Sequence, residues 1–173
     1  MLYFAYGSNM CTGRLRRRLP SAAAPVVARL SGYTFHFHKR SDDGSGKGNA
    51  VETGNDVDAV CGALFRIDPR QKGDLDAAEG VGHGYVEMPA VVRDDGNRHE
   101  AFMYVANENS IDNTLSPYSW YKRFVVEGAR QHNLPADYIA RIEAIRAIED
   151  PDARRDTRNR VIQCQMLNDH RVR

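Results

Sequence analysis

Two short segments carry residue types that could do chemistry. Tyr6-Gly7-Ser8-Asn9 follows an apolar, aromatic run from Leu2 and precedes the polar segment Met10 to Arg18, which has helical character. Glycine permits a positive φ and close backbone approach, and the amides that open a helix lack intrahelical partners. Such a turn can hold a carboxylate, or the oxyanion that develops on a carbonyl under attack. The same residues also suit a plain turn with an N-cap and nothing bound. Glu79 is the second candidate. Asp68-Pro69 reads as an N-cap followed by proline in the first helical position, and Gly80 as the left-handed residue after the last turn, which places a helix over 69–79. Glu79 ends that helix, among carbonyls without intrahelical donors, a setting for a carboxyl that takes up and returns a proton. A solvated glutamate ahead of a helix-ending glycine is the plainer reading.

Other candidates are weaker. His36-x-His38 puts two imidazoles on one face of a strand and His83 is a distant third, but no Asp or Cys has matching spacing, so the pair reads as surface histidines on an edge strand, not a metal site. Arg14, Arg16, Arg17 and Arg18 make a basic helix end that could meet phosphate, with a solvated face favourable to the helix C-terminus as the default. Cys11, near a helix start, could have a lowered pKa, yet no His or acid sits beside it in sequence to complete a nucleophilic pair. Cys11, Cys61 and Cys164 are odd in number and form no C-x-x-C pair, which suits reduced thiols and a cytoplasmic setting.

The elements that must position these residues are legible in outline. Leu2 to Tyr6 reads as a strand. Pro25 to Leu30 and Tyr33 to His38 read as an antiparallel pair around Ser31-Gly32. Ser41 to Asn49 has no apolar residue and three glycines, which predicts a mobile segment at the surface or over a site. Strand material resumes at Ala50-Val51 and Val57 to Ile67, and Tyr85 to Arg93 and His99 to Ala106 form a hairpin across Asp94-Asp95-Gly96-Asn97. Tyr118 to Gln131 and Pro135 to Ile148 are helical, the second with Tyr138, Ile139, Ile142 and Ile145 on one face. Strands early and helices late argue an α+β fold with a mainly antiparallel, barrel-like sheet.

The 173 residues fit one domain over 1–173, with a charged segment from about 150 whose Val161, Ile162, Met166 and Leu167 allow a final helix or tail. Hydrophobic residues at 42% suffice for a core, and 24 basic against 23 acidic side chains give a charge of +1, too little to hold a polyanion. That disfavours nucleic acid and membrane surfaces and favours a small ligand. No apolar run is long enough for a transmembrane helix, and the N-terminus lacks the pattern of a secretory signal.

Together these motifs are recognisable. Tyr3-Phe4-Ala5-Tyr6-Gly7-Ser8-Asn9-Met10 resembles the opening motif of the γ-glutamylcyclotransferase family, and Leu75-Asp76-Ala77-Ala78-Glu79-Gly80-Val81 with Tyr85 resembles its catalytic segment. Pro20-Ser21-Ala22-Ala23, Ser116-Pro117 ahead of Tyr121-Lys122, and Gly128-Ala129 with Asn133-Leu134-Pro135 and Tyr138 extend the similarity to about Ile148. The resemblance implies a small mixed, mainly antiparallel β-barrel with flanking helices and a pocket at the barrel end. It implies that Tyr3, Phe4, Ala5, Tyr6, Gly7, Ser8 and Asn9 form the substrate loop, that Glu79 is the general acid/base, and that Tyr121, Tyr85 and Tyr104 lie at the pocket. It further implies a γ-glutamyl substrate of the glutathione-linked dipeptide type, no cofactor, and a homodimer. Alternatives are a superfamily member acting on a γ-glutamylamine or a biosynthetic intermediate, and a binding protein that keeps the pocket without turnover. Two departures, the polar loop 41–49 and the insertion of about two residues at Tyr118-Ser119-Trp120, bear on the amine side of the substrate.

Overall fold

A computed structural model of the chain describes residues 1–168, with side chains described through Ile162, so the side chains of Cys164, Met166 and Leu167 lie outside it. Among the described residues there are seven strands: β1 (Leu2–Ala5), β2 (Val26–Ser31), β3 (Tyr33–Arg40), β4 (Gly46–Glu52), β5 (Ala59–Arg66), β6 (Tyr85–Asp94) and β7 (Asn97–Ala106). Five helices accompany them: α1 (Thr12–Arg18), α2 (Lys72–Glu79), α3 (Ser119–Gln131), α4 (Ala136–Ala144) and α5 (Ala153–Asn168). Strands β1-β5-β2-β6-β7 close into a barrel, and β3-β4 form a separate two-stranded sheet. Four barrel ladders are antiparallel; the seam between β1 and β7, at Tyr3 and Phe102, is parallel. The expected α+β class with a mixed, mainly antiparallel barrel is therefore present. No helix among the described residues is long and apolar enough to cross a membrane.

The strand pattern explains why β5 is central. Val60 to Phe65 are buried on both faces, so this strand requires neighbours on each side, and it pairs with β1 and β2. Phe4, Ala28, Leu30, Val60, Leu64, Val92 and Met103 pack as one core from all five barrel strands. The alternate residues, such as Tyr3, Ala5, Ala63, Phe65 and Phe102, meet a second core with Leu15, Leu75, Phe124, Val125 and Ile142 from the helices.

Two expectations are corrected. Strand β2 does not pair with β3, but with β5 over Val26 to Ser31 and with β6 at Arg29. Only Gly32 separates β2 from β3, fewer residues than a two-residue hairpin loop needs, and its φ of 79° turns the chain away into the second sheet. The second correction concerns 41–49, which is not a mobile loop. Ser41 N bonds to Ser45 O and Gly44 N to Ser41 O, after which Gly46 to Asn49 run in β4 with Ser45, Gly46, Gly48 and Asn49 buried. Gly44 supplies the turn at φ 84°, while Gly46 and Gly48 serve close approach: a Cβ at Gly48 would lie 2.9 Å from Phe35 Cε2.

Local signals fared better. Asp68 Oδ1 accepts from Arg70 N at 2.9 Å, a 3-10 turn at Pro69–Gln71 leads into α2, and Gly80 ends the helix at φ 66°. The β6–β7 hairpin turns at Asp95 and Gly96, both at positive φ. Helix α4 stops at Ala144 instead of Ile148, because Ile148 forms a parallel bridge with Tyr118 and its carbonyl accepts from Ser119 N. His38 is buried, not on the surface, with Nδ1 at 2.8 Å from Asn113 Oδ1 and Nε2 at 3.0 Å from Asn49 Nδ2. Asn49 Oδ1 accepts from Ala106 N, so His38 ties β4 to the barrel edge. Among the described residues no group of three or more His, Cys, Asp or Glu side chains is placed to hold a metal. Burial raises the Cys11 thiol pKa, opposite to the reactive thiolate its position near a helix start allows.

Candidate active site

The opening segment turns twice on leaving the barrel. After β1 the chain makes a 3-10 turn at Ser8–Met10, and α1 begins only at Thr12, so Asn9 is not the cap of a helix starting at Met10. Gly7 has φ −109° and needs no left-handed conformation, and a Cβ there would meet Tyr121 Oη at 3.7 Å, an ordinary contact. Met10 N donates to Gly7 O and Cys11 N to Ser8 O. The amides of Gly7, Ser8 and Asn9, at the open start of this turn, have no backbone acceptor among the described residues. Helix α3 holds the turn from behind. A Cβ at Gly128 would stand 2.6 Å from Cys11 N, so only glycine lets α3 pack this closely, and the same face of the helix presents Tyr121 two turns earlier.

Around this turn lies a small, partly open cavity lined by Tyr3, Tyr6, Gly7, Ser8, Asn9, Gly48, Glu79, Tyr85, Tyr104 and Tyr121. The structure thus brings Glu79 together with eight of the ten residues expected to contact substrate. Phe4 and Ala5 lie elsewhere: Phe4 points into the barrel interior and Ala5 into the layer beneath the helices. Alternation along β1 accounts for Phe4 and Ala5 facing opposite cores, Phe4 with Tyr6 and Ala5 with Tyr3.

Glu79 is held by one oxygen. Its Oε1 accepts from Asn9 Nδ2 at 2.8 Å and from Arg18 Nη1 at 2.7 Å. Arg18 Nη1 also donates to Asn9 Oδ1 at 3.0 Å, and Asn9 Nδ2 donates to Tyr3 Oη at 3.1 Å. Oε2 has no hydrogen-bond partner among the described residues. The arrangement fixes the carboxylate while leaving one oxygen for a ligand. Arg18 reads from sequence as a solvated helix-end cation; its partnership with Glu79 spans 61 positions and only folding reveals it. The four-residue spacing of Arg14 and Arg18, which puts both on one face of α1, is the signal that could have pointed to it.

The tyrosines stay neutral and shape the walls. Burial raises the pKa of Tyr3, Tyr6, Tyr85 and Tyr121 above the ordinary phenol value, and burial with the Asp76 hydrogen bond does so for Tyr104. Tyr85 Oη donates to Gly48 O at 2.6 Å, and Gly48 N donates to Tyr121 Oη at 3.1 Å, so β4 closes the cavity wall. Tyr6 Oη donates to Tyr104 O, and Tyr104 Oη to Asp76 Oδ1. Gly48 is the lining residue that the sequence placed in a mobile loop. With five neutral phenols about it, Glu79 is the carboxylate among the lining residues.

The barrel topology and its end cavity define a γ-glutamylcyclotransferase-like fold. The model of the AIG2-like family matches residues 59–142. The γ-glutamylcyclotransferase of Homo sapiens is 33% identical over 150 residues, covering 83% of this chain and 78% of that protein. Its counterpart in Mus musculus is 32% identical over 151 residues, with the same coverage. A solved structure described as a γ-glutamyl cyclotransferase superposes with a TM-score of 0.77 at 29% identity, over 85% of this chain and 88% of that one. The chain belongs to the γ-glutamylcyclotransferase family.

Proposed function

We infer that the chain is a γ-glutamylcyclotransferase, releasing 5-oxoproline and a free amino acid or amine from a γ-glutamyl compound. The observation that carries this reading is the Glu79 carboxylate, clamped through Oε1 by Asn9 and Arg18, in one cavity with the amides of Gly7 to Asn9. A γ-glutamyl group brings its own nucleophile, the α-amine, so closure of the five-membered ring is intramolecular and entropically assisted. The α-ammonium of a chain terminus, with a pKa of ~8, must first lose a proton. Glu79 takes it, and the amine attacks the γ-carbonyl, forming the ring C–N bond. The carbonyl oxygen becomes an oxyanion facing the amides of Gly7, Ser8 and Asn9. Collapse of this intermediate breaks the original amide C–N bond as Glu79 returns its proton to the departing amine, and the second proton left on the ring nitrogen passes through the freed carboxylate to the released amine, which leaves as an ammonium. No water is consumed and no protein nucleophile is required.

Tyr3, Tyr6, Tyr85, Tyr104 and Tyr121 form the walls around the γ-glutamyl group, with Asn9 and Arg18 as positioning residues. Phe4 and Ala5 contribute through the backbone of β1. The same reading takes 1–173 as one domain, acting as a homodimer in the cytoplasm on γ-glutamyl dipeptides of the glutathione-linked kind. Family resemblance supports the dimer and the substrate, and the buried thiols of Cys11 and Cys61 suit a reducing compartment. The test is 5-oxoproline release from a panel of γ-glutamyl-alanine, an ε-linked γ-glutamyl-lysine and glutathione. Release from at least one supports the reading, and binding of 5-oxoproline without release from any overturns it.

A further inference from the structure

A different cavity, of about 230 Å³, opens where α4 faces β3 and the start of β5, and it shares no lining residue with the one around Glu79. Its walls are largely apolar. Phe35 and Ala59 line it from the strands, and Tyr138, Ile142 and Ile145, three or four positions apart, line it from one face of α4 and its exit. Arg141 and Asp58 add opposite charges to the lining. No ion pair joins them among the described residues. Arg141 reaches only Asp137, at 3.5 Å with both side chains mostly exposed, and its guanidinium stands 5.6 Å from the Tyr138 ring centroid. Asp58 is fixed through its backbone, its N–H donating to Asn55 O and its carbonyl accepting from Gly32 N. Phe35 belongs to both surroundings. Its ring lies 6.2 Å from that of Tyr6 and is what a Cβ at Gly48 would strike at 2.9 Å, and Tyr6 and Gly48 both line the Glu79 cavity.

Size and charge together define an occupant. Apolar walls left open to water forfeit burial free energy that an apolar group recovers. A void of ~150 Å³ already takes up benzene, so 230 Å³ admits one side chain of leucine or phenylalanine size, but not a drug-sized molecule. A cation and an anion that do not pair with each other complement a small zwitterion. We propose that this cavity binds a free amino acid with an apolar side chain, its carboxylate towards Arg141 and its ammonium towards Asp58, and that occupancy acts on the Glu79 cavity through Phe35. The occupant packs against the ring that Gly48 and Tyr6 also meet, so it restrains a wall of the site. By linkage, this effector and the γ-glutamyl compound then change each other's affinity by the same factor. The effect on turnover rests on the cyclotransferase reading, whereas the binding does not.

The test is calorimetric titration of the full chain with L-leucine, L-alanine, leucinamide and 4-methylpentanoate, the last three lacking in turn the apolar body, the carboxylate and the ammonium. Leucine should bind roughly tenfold or more tighter than alanine, and about three- to fivefold tighter than either singly charged analogue, the range for a partly exposed ion pair. Ala59→Leu, which fills the cavity, should abolish binding. Arg141→Gln and Asp58→Asn should each weaken it about three- to fivefold with kcat unchanged, and because Arg141 is exposed its variant decides the matter even where Ala59→Leu fails to fold. Saturating leucine should change KM for the γ-glutamyl compound about fivefold in the wild type and leave it unmoved in Ala59→Leu. Leucine binding that survives these substitutions, or that shows no preference over alanine, overturns the proposal. Binding with an unmoved KM overturns the action through Phe35. Absence of 5-oxoproline release from every donor overturns the cyclotransferase reading instead, and the calorimetry still decides the site.

Discussion

Replacing Arg18 by glutamine tests whether the carboxylate must be held as well as present. The substitution removes the Nη1 donor that reaches Glu79 Oε1 at 2.7 Å and Asn9 Oδ1 at 3.0 Å. Both side chains of the ion pair are largely buried, with 24% of Arg18 and 17% of Glu79 exposed, so solvent replaces the lost donor only in part. A hydrogen bond to a charged group contributes about 1.5–3 kcal/mol, which converts to a fall of roughly 10- to 150-fold in kcat. On the proposed mechanism the loss belongs in kcat, because there Glu79 acts on the proton in flight and not on the bound γ-glutamyl group. The assay is steady-state 5-oxoproline release by the wild type, Arg18→Gln, Glu79→Gln and the double variant. If Arg18 works through Glu79, its removal from the Glu79→Gln enzyme costs almost nothing further. A full-sized second loss in the double variant, or an Arg18→Gln effect confined to KM, would refute the positioning role.

Three further outcomes follow from the geometry. Gly128→Ala forces a Cβ to 2.6 Å from Cys11 N, so it should lower stability by about 1–3 kcal/mol and reduce turnover by shifting the Ser8–Met10 turn, both read from thermal melts and initial rates. Asp150, buried and bonded to Arg155 and Trp120 Nε1, has its carboxyl drawn down from 3.8 to about 2, chiefly by the Arg155 hydrogen bond. Its stabilisation, about 2 kcal/mol by proton linkage, is complete above the unfolded pKa near ~4 and lost as pH falls towards 2, so acid unfolding of Asp150→Asn should lack that segment of the pH dependence. Tyr85→Phe removes the donor to Gly48 O and should cost about 1 kcal/mol in urea unfolding, with a raised KM as the β4 wall loosens.

What could be read from the chain depended on how far apart the partners stand. The α2 helix is marked at both ends by residues that act within a few positions, Asp68 on Arg70 N and Gly80 on its own backbone, and its carboxyl-bearing end is legible for that reason. The β6–β7 hairpin is local in the same way. The partners of β2 are not: they lie at 59–64 and at Arg93, and sequence patterning cannot say which apolar strand takes which edge. Glycine is ambiguous by nature, signalling freedom or crowding alike. At Gly48 it is crowding, imposed by Phe35 from β3, while Tyr121 of α3 accepts its N–H, so a segment that looks mobile is a cavity wall. Arg18 and His38 show the same limit for polar groups, since their partners Glu79 and Asn113 are 61 and 75 positions away. Thus the acid and the loop were legible as motifs, whereas the clamp between them was not.

The central claim is that one carboxyl, Glu79, moves the proton both ways during intramolecular ring closure. Glu79→Gln keeps the size and the hydrogen-bonding capacity of the side chain while removing the base. Measured on the preferred γ-glutamyl amino acid, 5-oxoproline release should fall by about two to four orders of magnitude, the usual range for a general acid/base, while calorimetry shows substrate still bound. Release at near wild-type rates by a folded Glu79→Gln protein would contradict the account.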